Sequence, residues 1–167
     1  IQVSTYWAHT LALHSDGTVS SWGYGWTGAL GHGDFTERTR PTIISGLNDI
    51  IYVGSGYSKS YAIHQDASVS SWGYDEYGEL GHGDVPSSQR IGTPTKISGL
   101  SNVKQITGGD YYTVAVLNDG TVKTWGDGWY GKTGHGNTTA RDVPTTISGV
   151  SDVCLLYTSD AADEGLG

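Results

Sequence analysis

Three histidines raise the question of chemistry first. His32, His82 and His135 each sit in a Gly-His-Gly turn, followed two residues on by Asp34, Asp84 and Asn137. Imidazole beside carboxylate is a donor set that suits zinc, but a catalytic zinc keeps three protein ligands. One histidine with one neighbouring acid falls short, and the wide spacing of the three turns holds them apart. The expectation is no metal and no cofactor, with each histidine capping or packing on its own turn. Asp16, Asp66 and Asp119 recur at the same interval, before Gly17, Ala67 and Gly120. Asp favours such positions because its carboxylate bonds the local backbone, so these three are read as turn formers and not as an acid–base pair. Neither a Gly-x-Ser-x-Gly elbow nor a Gly-Lys-Ser/Thr phosphate cradle occurs. No catalytic residue is assigned, and the chain is not expected to be an enzyme.

Binding chemistry has better material. Just after each Trp-Gly pair come Tyr24, Gly25, Trp26 and Thr27; then Tyr74, Asp75, Glu76 and Tyr77; then Asp127, Gly128, Trp129 and Tyr130. These residues differ between copies while the frame around them stays fixed, as expected of loops that carry specificity. Tyr24, Trp26, Tyr74, Tyr77, Trp129 and Tyr130 are therefore the candidate binding residues, since Trp and Tyr are enriched at binding hot spots. The other reading is that these rings pack on the loop of the neighbouring unit.

The frame is an internal repeat. The segment SWGY-x-x-x-G-x-LGHGD at 21–34 returns at 71–84, and TWGDGWYGKTGHGN at 124–137 is a looser third copy, at intervals of 50 and then 53 residues. Such a period marks an array of one supersecondary unit. Ala12-Leu13, Ala62-Ile63 and Ala115-Val116 end a second strand in each copy, and Asp-Gly reads as a hairpin turn with positive φ at both central positions. TVSSW, SVSSW and TVKTW alternate sides and carry Trp22, Trp72 and Trp125 into the core. A fourth short strand is expected to begin at Pro41, Pro94 and Pro144, where proline costs no ladder bond at an edge or a strand start. From Gly83 to Pro94 the second copy is three residues longer than the others, an insertion expected to lie in a loop. The 26 glycines disfavour helix interiors. The fold expected is all-β: an incomplete β-propeller of about three four-stranded antiparallel blades, at roughly 1–50, 51–103 and 104–153.

At His9-Thr10-Leu11-Ala12-Leu13, Ser60-Tyr61-Ala62-Ile63, the three Trp-Gly pairs and the runs Gly28 to Gly33 and Gly78 to Gly83, the chain resembles the regulator of chromosome condensation repeat family. The resemblance covers 1–153. Thr133, Ala67 and Ser4-Thr5-Tyr6 depart from its pattern. It implies blades of a ring of about seven, so the remaining blades of the same chain are needed to close it, and a protein partner of unknown identity for the loops, as a scaffold or in the manner of a β-lactamase inhibitor. Two alternatives are guanine-nucleotide exchange on a small GTPase and carbohydrate binding through Trp26 and Trp129. Exchange in this family uses a hairpin wedge, and the only insertion is the one near Ser87. A light-sensing branch uses a Gly-Trp-Arg-His-Thr run; Tyr6-Trp7-Ala8-His9-Thr10 lacks its Gly and Arg, so photoreception is not implied.

The formal charge is −8, and Asp160, Asp163 and Glu164 hold three of those charges, leaving −5 on the repeats. Without a basic patch, nucleic acid is not an expected partner. No stretch approaches the ~20 apolar residues of a membrane helix. After SDV at 151–153 the pattern stops, and CLLYTSDAADE resembles a translated sequencing adapter, so 154–167 is expected to be a non-native tail and the chain a fragment. The single Cys154 lies in it. The Ser/Thr/Gly/Tyr-rich copies lean toward bacterial secreted or cell-surface members of the family.

Overall fold

The computed structural model describes residues 2–83 and 89–154. Short alternating segments separated by turns pair with their neighbours in sequence, so each copy closes on itself as a meander. Blade 1 is β1 (Gln2–Tyr6), β2 (His9–Leu13), β3 (Val19–Gly23) and β4 (Arg38–Ile43). Blade 2 is β5 (Ile50–Gly56), β6 (Lys59–His64), β7 (Val69–Asp75) and β8 (Gln89–Lys96). Blade 3 is β9 (Val103–Gly108), β10 (Tyr112–Leu117), β11 (Val122–Gly126) and β12 (Arg141–Thr146). Each is a four-stranded antiparallel sheet in sequence order. The helical content among the described residues is one 3-10 turn, Trp129–Gly131.

The first strands β1, β5 and β9 lie side by side. Gln2 seals the first junction: its amide nitrogen donates to Val53 O at 2.9 Å, and its oxygen accepts from Val53 N at 3.1 Å. The core sits between blades, because strand residues alternate faces. On β6, Ala62 joins Leu11, Val19, Val53 and Trp72 in the blade 1–2 cluster. Tyr61 and Ile63, one residue either side, join Ile106, Ala115 and Trp125 in the blade 2–3 cluster.

Each Trp-Gly pair is a β-bulge. The β3–β4, β7–β8 and β11–β12 registers shift at Ser21/Gly23, Ser71/Gly73 and Thr124/Gly126. The extra residue re-aims the indole into the junction. Gly73 has φ +118°, and a Cβ there would lie 2.4 Å from Ser58 O. Gly73→Ala is therefore expected to cost about 1–3 kcal/mol, read by urea denaturation; an unchanged midpoint would refute this account of the pair.

Four expectations need correction. Trp72 and Trp125 are fully buried, but Trp22 is only partly so. Trp72 Nε1 donates to Ala29 O of blade 1 at 2.8 Å and Trp125 Nε1 to Glu79 O of blade 2 at 2.9 Å; among the described residues no blade stands before blade 1 to receive Trp22. The Asp-Gly turns carry positive φ at one position only, Gly17, Ala67 or Gly120. His14 N donates to Thr18 O and Gly17 N to His14 O, which makes a three-residue turn with a bulge. The fourth strands begin before their prolines, at Arg38, Gln89 and Arg141; Pro41, Pro94 and Pro144 are tolerated inside them because each is an edge strand. Finally, the insertion in the second copy is not all loop. Gln89 and Arg90 extend the ladder opposite Asp75 and Tyr74, while its residues 84–88, with Asp84 and Ser87, lie outside the described residues, as does the tail beyond Cys154.

Candidate functional site

The three turn histidines, His32, His82 and His135, bond within their own blades. Ser21 Oγ donates to Leu30 O at 2.7 Å and meets His32 Nε2 at 3.0 Å. A hydroxyl has one hydrogen, so the imidazole N–H is the donor to it. Ser71 with His82 and Thr124 with His135 repeat the arrangement, both at 3.0 Å. Burial holds all three imidazoles below their usual range. Asp34 and Asn137 accept from Thr36 N and Thr139 N, and Arg38 bridges Asp34 at 2.7 Å. Among the described residues no three His, Cys, Asp or Glu side chains converge on a point that could hold a metal. Asp16, Asp66 and Asp119 each accept from the backbone N–H two residues on.

Aromatic residues do converge, on one rim. Backbone bonds from Tyr24 N to Ala8 O, Tyr74 N to Ser58 O and Asp127 N to Tyr111 O fasten each loop after Trp-Gly to the hairpin tip of its own blade. The rings then run in file: Tyr24 to Trp7 (5.3 Å between centroids), Trp7 to Tyr57 (5.0 Å), Tyr57 to Tyr111 (6.2 Å), Tyr111 to Tyr77 (5.5 Å) and Tyr77 to Trp129 (6.2 Å). The file crosses all three blades. Trp7 and Trp129, near its ends, remain 61% and 60% exposed.

Of the candidate residues, Tyr24, Tyr77 and Trp129 belong to this file. Trp26, 59% exposed, stands beside it under Arg90, and Tyr74 lines a cavity of about 420 Å³ with Trp7, Tyr24 and Tyr57. Tyr130, 97% exposed at φ +62°, meets no other ring among the described residues. Trp7, Tyr57 and Tyr111 were not foreseen. They occupy the tips of the β1–β2, β5–β6 and β9–β10 hairpins, where the sequence reads as continuous strand; the signal was the start of the His-Thr-x-Ala-Leu motif, which leaves Trp7-Ala8 as a two-residue turn between paired Tyr6 and His9.

A buried ionic cluster lies beneath the rim at the blade 2–3 junction. Lys59, fully buried, donates to Gly109 O at 3.0 Å and Asp110 O at 2.7 Å. Glu79 holds the rim loop: its Oε2 accepts from Glu76 N at 3.0 Å and Tyr77 N at 2.6 Å. Asp75 Oδ1 accepts from Leu80 N at 3.3 Å, and its buried Oδ2 has no donor among the described residues. Burial, and then the Glu79 charge, push the Asp75 carboxyl up to about 7, so below that pH it carries a proton. Burial brings Lys59 down to about 8, against the pull of Glu79, Asp110 and Asp75. The other repeats have Gly25 and Gly128 where Asp75 stands, and a Cβ there would strike Thr36 O or Thr139 O.

Family models of the regulator of chromosome condensation (RCC1) repeat match residues 16–63 and 66–116, and a second model of the same repeat matches 1–25 and 103–131. The chain belongs to the RCC1 repeat family. It is 37% identical over 158 residues to the E3 ubiquitin-protein ligase HERC2 of Mus musculus, across 89% of this chain and 3% of that protein. To the ultraviolet-B receptor UVR8 of Arabidopsis thaliana it is 36% identical over 166 residues, across 93% of this chain and 36% of the receptor. The crystal structure of Prp20p from Saccharomyces cerevisiae, described with its binding to Gsp1p and histones, superposes with a TM-score of 0.78 at 25% identity, over 87% of this chain and 37% of that one. The chain thus spans about a third or less of each of these proteins. Its three sheets are RCC1 propeller blades.

Proposed function

We propose that this stretch of RCC1 blades is a non-enzymatic docking module whose aromatic rim binds a protein partner. The observation that carries the reading is the file of six rings laid across three blades, with exposed indoles near both ends. Rings fastened by backbone bonds lose little freedom on binding, and Trp and Tyr supply most of the energy at interfaces. Prp20p, a structural relative, is described with protein partners, which supports a protein over a sugar. Arg90 already covers one face of Trp26 at 4.5 Å, leaving less of that ring for a sugar to stack on.

The test is photo-crosslinking of the immobilised chain to candidate partners beside its Trp7→Ala and Trp129→Ala variants, with folding checked by circular dichroism. Loss of about 2 kcal/mol on replacing a hot-spot Trp is expected to cut capture roughly thirtyfold. Capture indifferent to both tryptophans would refute the rim as the docking surface, and a glycan-array signal lost on Trp26→Ala or Trp129→Ala would replace it with carbohydrate binding.

A further inference from the structure

The rim does more than offer rings. Two adjoining cavities share Tyr24 and Trp26: one of about 420 Å³ that also holds Glu76, and one of about 420 Å³ that adds Phe35 and Glu37. Each thus sets one carboxylate among aromatic walls, and among the described residues neither Glu37 nor Glu76 enters an ion pair. Arg90 lines the first of them, beside the Trp26 they share, as a cation of the chain's own. The Arg90 guanidinium lies 4.5 Å from the Trp26 ring centre and 5.2 Å from that of Phe35, and its Nη1 donates to Trp26 O at 3.1 Å.

Resting on the docking reading above, we propose that these paired cavities take the cationic side chains of an extended, arginine-bearing segment of the partner. Charge argues for this occupant. Around the rim stand Glu37, Glu76, Asp110 and Asp127, against Arg90 and Lys132. Both bases are engaged: Arg90 with two rings and a carbonyl, Lys132 with Asp127 at 2.6 Å. The chain as a whole carries −8. Cations are drawn to the negative faces of aromatic rings, most of all Trp, and a guanidinium adds a planar fork that fits a carboxylate. The resident Arg90 shows that these rings stand far enough apart to seat that group.

Tryptophan fluorescence of the 167-residue chain, titrated with hexa-arginine and separately with hexaglutamate at physiological salt, tests the idea. Hexa-arginine is expected to bind and hexaglutamate not to. The Glu37→Gln/Glu76→Gln pair should weaken hexa-arginine at least tenfold and the exposed Glu37→Gln alone about threefold. Asp66→Asn, which removes one charge, as Glu37→Gln alone does, at the opposite end of blade 2, should change it less than twofold. Equal binding of hexaglutamate, or equal losses from Asp66→Asn and the pair, would overturn the proposal. Partner capture that still depends on Trp7 and Trp129 while hexa-arginine fails to bind would end this inference and leave the docking reading standing; loss of both would end the two together.

Discussion

Trp72→Ala is expected to destabilise the chain by about 3–5 kcal/mol, the range for deleting a fully buried large aromatic side chain, while Trp22→Ala costs about 1 kcal/mol or less. The two residues occupy the same place in consecutive copies, each at the bulge before a glycine, and differ in what covers them. Trp72 fills the blade 1–2 junction with Leu11, Val19 and Val53. Its N–H meets Ala29 O, which also accepts from Ser60 Oγ at 2.8 Å. Alanine would leave a cavity there and take away one of that carbonyl's two donors. Against a total stability of about 5–15 kcal/mol, such a loss brings the fold near its limit. Trp22 shows no such bond among the described residues and is partly open to solvent. Urea denaturation of both variants reads the difference; equal losses would mean that the indoles stabilise their own sheets and not the junctions.

The same comparison shows what a repeat makes legible. Period and landmark spacing are enough to read the blades, the strand order and the third-strand tryptophans, because each copy closes its own meander and the apolar alternation is local. The burial of one indole is not local. Trp72 and Trp22 have the same neighbours in sequence, and among the described residues only Trp72 has a preceding blade to pack on. The site divides in the same way. Tyr24, Tyr77 and Trp129 stand out as variation within a fixed frame, whereas Trp7, Tyr57 and Tyr111 sit on hairpin tips whose residues look like strand. Tyr111 is further hidden by its longer tip, since Gly108 pairs with Thr113 where Gly56 pairs with Lys59.

The ionic cluster was invisible for another reason: it occurs once. Lys59 stands where blade 1 has His9 and blade 3 has Tyr112, all three opposite the glycine of a Trp-Gly pair. His9 differs, since burial above all, with the Lys59 charge adding to it, holds that imidazole down to about 4, and it meets Ser60 Oγ at 3.0 Å as a neutral ring. Asp75 in turn replaces a glycine in the one copy whose fourth strand is longer. A periodic pattern cannot announce a residue that breaks it.

That cluster carries the last prediction, that Lys59→Met costs about 3–5 kcal/mol at pH 7.5 and distinctly less at pH 5. Asp75 titrates at about 7 in the fold and near 3.8 when unfolded. The native state therefore binds more protons than the unfolded chain across that interval, and Asp75 lowers stability as pH rises from about 4 to about 7. Lys59, brought down to about 8 from 10.5, stays charged through this range. Above about pH 7 Asp75 is ionised, and the Lys59 ammonium is the charge that lowers its carboxyl against burial and Glu79. Without it the Asp75 carboxyl is pushed up further, since the Lys59 charge is what lowers it, so at pH 7.5 the fold must hold a proton that the unfolded chain has released, a cost that falls away toward pH 5. At pH 5 Asp75 keeps its proton in either protein, so the loss is confined to the bonds to Gly109 O and Asp110 O and to the pull of Glu79 and Asp110 on the ammonium. Adding Asp75→Asn to Lys59→Met should recover most of the pH 7.5 loss, since the amide is neutral and can donate to Glu79. Guanidinium denaturation at the two pH values measures all three. A Lys59→Met loss that is the same at both, and that Asp75→Asn fails to relieve, would show the lysine acting by packing alone.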